Sequence, residues 1–311
     1  MALLAAGPRA QASPESAVRE TRAGADMRGR SLAGANLDGA ILTGADLVGA
    51  NLRGASLKGA DLREAYLRDT DARGADFTGA RLGGADLTRA DLRGAKLDAA
   101  DFSRARLDSA QLDDASARGA YFPGASLHKT SLAGTRLDGA VLSGANLTQA
   151  RMRKAMLREA DLGASTAGQQ GPSPAVLAGA DLREADLSGA NLTSANFSEA
   201  ILEGARLEGA RLGHANLYWA RARGADFSRA SLGWLRAYGA DLRGARFTRA
   251  HLGQAQFEGA DLSGANFDGA LLDNTNLNQA RMKGATMQDA RIIHVLANGV
   301  TDAPAMLREK K

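Results

Sequence analysis

The sequence predicts an all-β solenoid, and three features of it carry that prediction. A large apolar residue recurs every five positions, an alanine stands two residues before it, and a glycine often stands two after. The stretch ANLDG AILTG ADLVG ANLRG ASLKG ADLRE, from Ala35 to Glu64, shows the pattern. Between Ala25 and His294, with one interruption set aside, there are 52 such units. Their central residue is Leu, Phe, Met or Ile in 48, the exceptions being Ala72, Ala117, Ala222 and Ala237. The residue two before the centre is Ala in 46, replaced by Arg30, Thr70, Thr130, Thr135, Leu235 and Thr275 in the others.

A period of five suits neither ordinary element. An α-helix turns about 100° per residue, so every fifth side chain would drift about 140° around the surface. A flat strand alternates faces every second residue, which puts successive leucines on opposite sides. A chain that turns a corner once per unit can instead aim every centre and every alanine into one axial core. Glycine after the centre supplies the backbone freedom of such a corner. Composition agrees: 44% of residues are apolar but only 5% aromatic, with 37 Gly and 6 Pro. Collagen is excluded because Gly does not occupy every third position.

Units such as Ala45-Asp46-Leu47 and Ala190-Asn191-Leu192 carry the signature A(D/N)LXX, and the sequence resembles the pentapeptide repeat proteins from residue 25 to about 294. The resemblance implies a right-handed quadrilateral β-helix in which four units make one square coil. About thirteen coils at a strand spacing of ~4.8 Å would form a rod roughly 60 Å long.

The interruption is Ser165–Pro174, with two prolines, two glycines and no large centre. It reads as a ten-residue loop expelled from the coil. The 28 units before it and the 24 after it each divide by four, giving seven coils over 25–164 and six over 175–294. Glycine supplies an independent check. The face centred on 32, 52, 72 and onward has Gly two after the centre in five of seven coils. With the loop expelled this face continues through 182, 202 and onward, with Gly in five of six; with the loop retained it would have none of six.

In that register three surface features stand out. Residues one after the centre on the Gly-rich face form a column with eight basic members: Arg53, Arg73, Arg93, Arg153, Arg183, Arg223, Arg243 and Lys283. They suit an anionic partner such as nucleic acid, or they pair with Asp71, Asp91, Asp181, Asp241 and Asp261 one before the same centres. The second feature is aromatic. Both tryptophans and two of the four tyrosines fall at Tyr218, Trp219, Trp234 and Tyr238. Tyr218 should stand over Tyr238, and His214 over Trp234, while Leu235 takes an alanine's place. Such a cluster is the chemistry of a protein-binding hot spot, although ring stacking between coils could equally serve the rod alone. The third feature is the loop, with Gln169, Gln170, Pro172 and Pro174 as its candidate contacts.

The ends depart from the repeat. Residues 1–24 read as a disordered tail, which places the chain in the cytoplasm; Ala10-Gln11-Ala12 offers the alternative of an export signal remnant. Residues 295–311 read as a cap with a short helix near Ala303–Arg308 that covers the last coil.

Catalysis is not expected. A core of leucine and alanine leaves no pocket for chemistry. With Cys 0 there is no thiolate site, and His128, His214, His251 and His294 form no ligand motif, so no metal or cofactor is expected. No apolar run is long enough to span a bilayer. The resemblance implies a non-enzymatic binding protein whose partner is DNA gyrase or topoisomerase IV, shielded from poisons by a rod that mimics DNA, in antibiotic self-resistance. It also implies a homodimer through the C-terminal end. The net charge of +4 argues against strict mimicry of an acidic duplex. The alternatives are a general protein-binding scaffold or effector using the aromatic corner, and nucleic-acid binding along the basic column.

Overall fold

In the computed structural model, residues 22–164 and 173–308 are described. The chain winds as a right-handed quadrilateral β-helix. The residue before each centre forms a parallel bridge with the residue twenty positions on, as in Asp46↔Tyr66 and Tyr66↔Asp86. A coil is therefore four five-residue units.

Each unit settles its own backbone polar groups. In the unit of Leu47, the Asp46 N–H donates to the Ala25 carbonyl (2.9 Å), and the Leu47 N–H to Tyr66 (2.7 Å). The Gly49 N–H donates to Arg68 (2.9 Å), and the Ala50 N–H closes the corner on Leu47 (2.9 Å). Three bonds tie a unit to its neighbouring coils and one holds its turn, so little main chain is left unpaired. Asp or Asn before the centre adds a local cap: Asp46 Oδ1 accepts the Val48 N–H (3.1 Å), and Asn51 Oδ1 the Arg53 N–H (3.1 Å). This is the physical reason for the D/N in the motif.

The core is the expected axial stack. Leu47, Leu52 and Phe77 are fully buried, as are Ala45 and Ala60. Aromatic centres stack one coil apart, Phe102 on Phe122 at 4.9 Å, and Phe227, Phe247 and Phe267 in a column at 5.2 and 4.8 Å. Threonine replaces alanine only with its hydroxyl engaged. Thr70, Thr130, Thr135 and Thr275 donate to the carbonyls of Leu47, Leu107, Leu112 and Leu252 at 2.7–3.0 Å.

Across the interruption the bridges step by thirty positions, as in Asn146↔Val176, Arg151↔Asp181 and Asp161↔Asn191. The Ala175 N–H closes the corner on Leu162 at 2.8 Å, the bond that Ala150 makes to Leu147 in an ordinary unit. The tail through residue 21 and residues 165–172, with Gln169, Gln170 and Pro172, lie outside the described residues. Pro174 is half-buried at the re-entry.

At the C-terminal end two regular strands form, β1 (Leu271–Asp273) and β2 (Arg291–Ile293), paired in parallel with Leu272 opposite Ile292. A single helical turn, α1 (Ala305–Arg308), follows and seats Leu307 against the last coils with 6% exposure. Val295, Val300 and Ala303 complete this cover.

Candidate binding face

The aromatic residues come from three corners in two adjacent columns of the rod. Tyr218 and Trp219 follow the buried centre Leu217, Trp234 ends the unit of Leu232, and Tyr238 follows Ala237. The coil stacking brings them together. His214 and Trp234 stack at 5.7 Å with nearly parallel rings, and Tyr218 meets Tyr238 at 6.1 Å. Trp219 meets the same Tyr238 edge-on at 5.6 Å. Trp219 lies over Gly239: a Cβ there would stand 2.5 Å from Cζ3 of the indole. Gly239 is thus required twice, by this contact and by its φ of +64°. Tyr218 and Tyr238 remain 42% exposed, Trp219 59% and Trp234 50%. Tyr66 and Tyr121, the other tyrosines, lie in the first run of coils, away from this cluster.

The two tryptophans occupy the corner position that recurs along the rod. The last residue of nearly every unit adopts positive φ, which glycine tolerates freely and which other non-glycine residues such as Glu64, Arg89 and Lys154 also adopt. Trp219 and Trp234 hold φ of 56° and 61° there, a conformation that is rare for bulky side chains and costs about 1–2 kcal/mol each.

One sequence-predicted member is corrected. Leu235 is 1% exposed; it fills an alanine's core position while Ala237, 0% exposed, takes the centre. The exchange conserves volume, so Leu235 belongs to the core and offers nothing to a partner. One residue was missed. Arg236 lies between them, exposed, with Trp234 two residues before and Tyr238 two after. Along the rod its neighbours are Asn216 and Gln256, part of a row with Asn196 and Asn276. These amides bond to one another, Asn216 Nδ2 to Asn196 Oδ1 (3.2 Å) and Asn276 Nδ2 to Gln256 Oε1 (3.1 Å). No ion pair engages the Arg236 guanidinium among the described residues.

The basic column behaves differently. Arg73 and Arg93 each grip the aspartate two residues before them through two hydrogen bonds, at 2.6–2.9 Å. Arg183 on Asp181 and Arg243 on Asp241 repeat this. Arg153 pairs with Glu184 at 2.6 Å, and Arg223 approaches Asp241 at 4.0 Å. The arginine hydrogen bonds hold Asp71, Asp91, Asp181 and Asp241 below the usual carboxylate range. On the opposite face Arg63 holds Asp61 down at about 2 in the same way. Arg53 and Lys283, near the two ends, make no ion pair among the described residues. The column is mostly a ladder of neutralised pairs.

Among the described residues no cluster of three or more His, Asp or Glu could hold a metal ion, and no helix is long and apolar enough to cross a membrane.

Comparison with known proteins follows the same geometry. The family described as Pentapeptide repeats matches residues 23–163 and 175–295, leaving out the residues of the interruption. No curated protein matches the chain. Among solved structures, a trypsin-treated variant of QnrB1, a plasmid-mediated fluoroquinolone resistance protein, is 16% identical over 57% of this chain and 91% of its own, with a TM-score of 0.33. HetL, which is involved in heterocyst differentiation regulation in the cyanobacterium Nostoc, is 29% identical over 91% of this chain and 92% of its own, with a TM-score of 0.24. A protein of the Arabidopsis thaliana thylakoid lumen is 30% identical over 36% of this chain and 65% of its own, with a TM-score of 0.21. The repeat signature, the twenty-residue coil and the family match over both runs agree: the chain belongs to the pentapeptide repeat family.

Proposed function

We propose that this chain is a non-enzymatic binding rod that captures a protein partner on the face between Trp234 and Trp219. One observation carries the reading: both tryptophans are half exposed at positions where the backbone favours glycine. The corner conformation recurs along the rod, but only here does it carry two large rings left in water, and an exposed aromatic cluster of that kind marks an interaction surface. Large rigid rings with a polar handle are the residues that dominate binding energy at protein interfaces. The composition around them, Tyr, Trp, Asn, Ser and Gly with one Arg, matches that of antibody combining sites.

The first partner to test is a type II topoisomerase, with antibiotic self-resistance as the outcome. Family membership and the rod-like stack of coils support this. The neutralised column and the net charge of +4 speak for docking through the aromatic face rather than for imitation of a duplex. A gyrase supercoiling assay with and without a poison is decisive. Protection by the native chain and none by Trp219→Ala/Trp234→Ala supports the reading. Neither binding nor protection ends it and leaves the general scaffold. The C-terminal end supports self-association: Leu296 is 53% and Met306 37% exposed beside a cavity of about 310 Å³ lined by Ile292, Val295 and Leu307. Sedimentation at increasing concentration reports whether it forms the homodimer.

A further inference from the structure

We infer that the aromatic face recognises an acidic protein segment, and that Arg236 pairs with its carboxylate between Trp234 and Tyr238. The inference rests on the protein-docking reading above and gives the partner its chemistry.

The first argument is the state of Arg236. Many exposed arginines on the rod are spent on neighbouring carboxylates, through paired bonds as close as 2.6 Å at Arg73 and Arg93, although Arg206, Arg211 and Arg249 in the same coils also make no ion pair among the described residues. Arg236 has no such partner among the described residues, because its row supplies Asn216 and Gln256 where other faces supply Asp. Arg236 is exposed, with Trp234 and Tyr238 two residues to either side. A partner that covers these rings buries the guanidinium with them, which raises the gain from a bidentate carboxylate over the same pair in open solvent.

The second argument is the charge around it. Residues 201–250 contain nine arginines against four carboxylates, a surplus of five that exceeds the +4 of the whole chain. The coils carrying the aromatic residues therefore hold all of the chain's excess positive charge. They attract an anionic partner and steer its approach.

The third argument limits the size and kind of ligand. By register, Glu199 precedes Trp219 in its corner column and Glu258 follows Tyr238 in the adjacent one, three coils apart. The face is thus positive at its centre and negative at both ends. At ~4.8 Å per coil this spans about 14 Å, room for four or five extended residues with one carboxylate in the middle and apolar neighbours on the rings. A single-stranded nucleic acid fits poorly. Its phosphates need a continuous basic track, and above and below Arg236 the row is uncharged.

The experiment is a selection of displayed random peptides, about twelve residues long, on the immobilised full chain. The native protein should enrich peptides with Asp or Glu beside aromatic or aliphatic residues. A synthetic peptide of the enriched sequence should lose about ten-fold or more in affinity on Arg236→Ala, recover part of it on Arg236→Lys, and fail to bind Trp219→Ala/Trp234→Ala. Arg236→Glu should turn the enriched charge to Lys or Arg. Circular dichroism establishes that each variant keeps its coils. Enriched peptides without acidic bias, or indifferent to Arg236→Ala, overturn the acidic assignment and leave the docking face standing. Absence of any enriched peptide removes the docking face as well. Tryptophan-dependent binding of a thymidine oligonucleotide in place of peptide assigns the face to nucleic acid and also overturns the inference.

Discussion

At the scale of single residues, Gly239 reports whether Trp219 is held or merely attached. Gly239→Ala meets two penalties: the left-handed backbone costs about 1–2 kcal/mol with a Cβ, and the indole must leave its seat. We expect a loss of stability in urea together with a shift of tryptophan emission. In a Trp219→Ala background only the backbone penalty remains, so the two substitutions couple in a double-mutant cycle. Additivity would mean that the ring does not rest on Gly239 in solution. Trp234 gives the complementary test. Trp234→Gly releases about 1 kcal/mol of backbone strain while removing the stack on His214. The melting temperature should therefore stay level or rise as partner capture is lost, the trade expected where a strained residue serves binding.

At the scale of the repeat unit, the ion-pair ladder makes the rod sensitive to acid. Asp61, Asp71, Asp91, Asp181 and Asp241 are each held below the ordinary carboxylate value by an arginine hydrogen bond, Asp61 at about 2. A carboxylate whose folded pKa is depressed stabilises the fold above its unfolded value near 4, and that stability disappears as pH falls through the folded value. The melting temperature should be flat from pH 7 to about 5 and fall between about 4 and 2. Each pair is solvent-screened, so the fall should be gradual and weaker in high salt. A transition centred near pH 6 would not come from these pairs. These pairs were legible in the sequence because the residues before and after a centre flank one corner, so an Asp-Leu-Arg unit places its charges side by side. Arg236 was missed although the twenty-residue register that sets Tyr218 over Tyr238 also sets it between Asn216 and Gln256. What the register cannot supply is whether its long side chain reaches an acid on an adjoining column, and among the described residues it does not. Leu235 misled although its exchange with Ala237 was legible: an alanine's place is a core place, and the stacked coils bury the leucine there rather than leave it among the exposed rings.

At the scale of the molecule, period and alanine spacing made the solenoid legible, whereas the packing of rings across corners depends on side-chain geometry that no period encodes. Register lies between the two. Gly163 closely approaches Asn191, whose Nδ2 donates to Asp161 at 2.7 Å, so side chains lock coil to coil across the interruption. The Leu162–Ala175 corner bond has ordinary length, and the thirty-residue step of the bridges exceeds a coil by the ten residues of Ser165–Pro174. Deleting those ten residues joins Ala164 to Ala175 and restores an uninterrupted Leu-Gly-Ala-Ala junction between units. No described core side chain is removed, no described bridge changes partner, and closing a ten-residue loop costs only a few kcal/mol of chain entropy, which the deletion returns. The shortened chain should therefore keep its circular dichroism spectrum and melt at the same or a higher temperature. Loss of the coils after residue 175, seen as rapid amide exchange confined to that half, would show that the loop holds the register. If the rod survives, partner capture by the deletion variant then separates the loop from the aromatic face as the binding element, because the two lie on different coils and their effects should add.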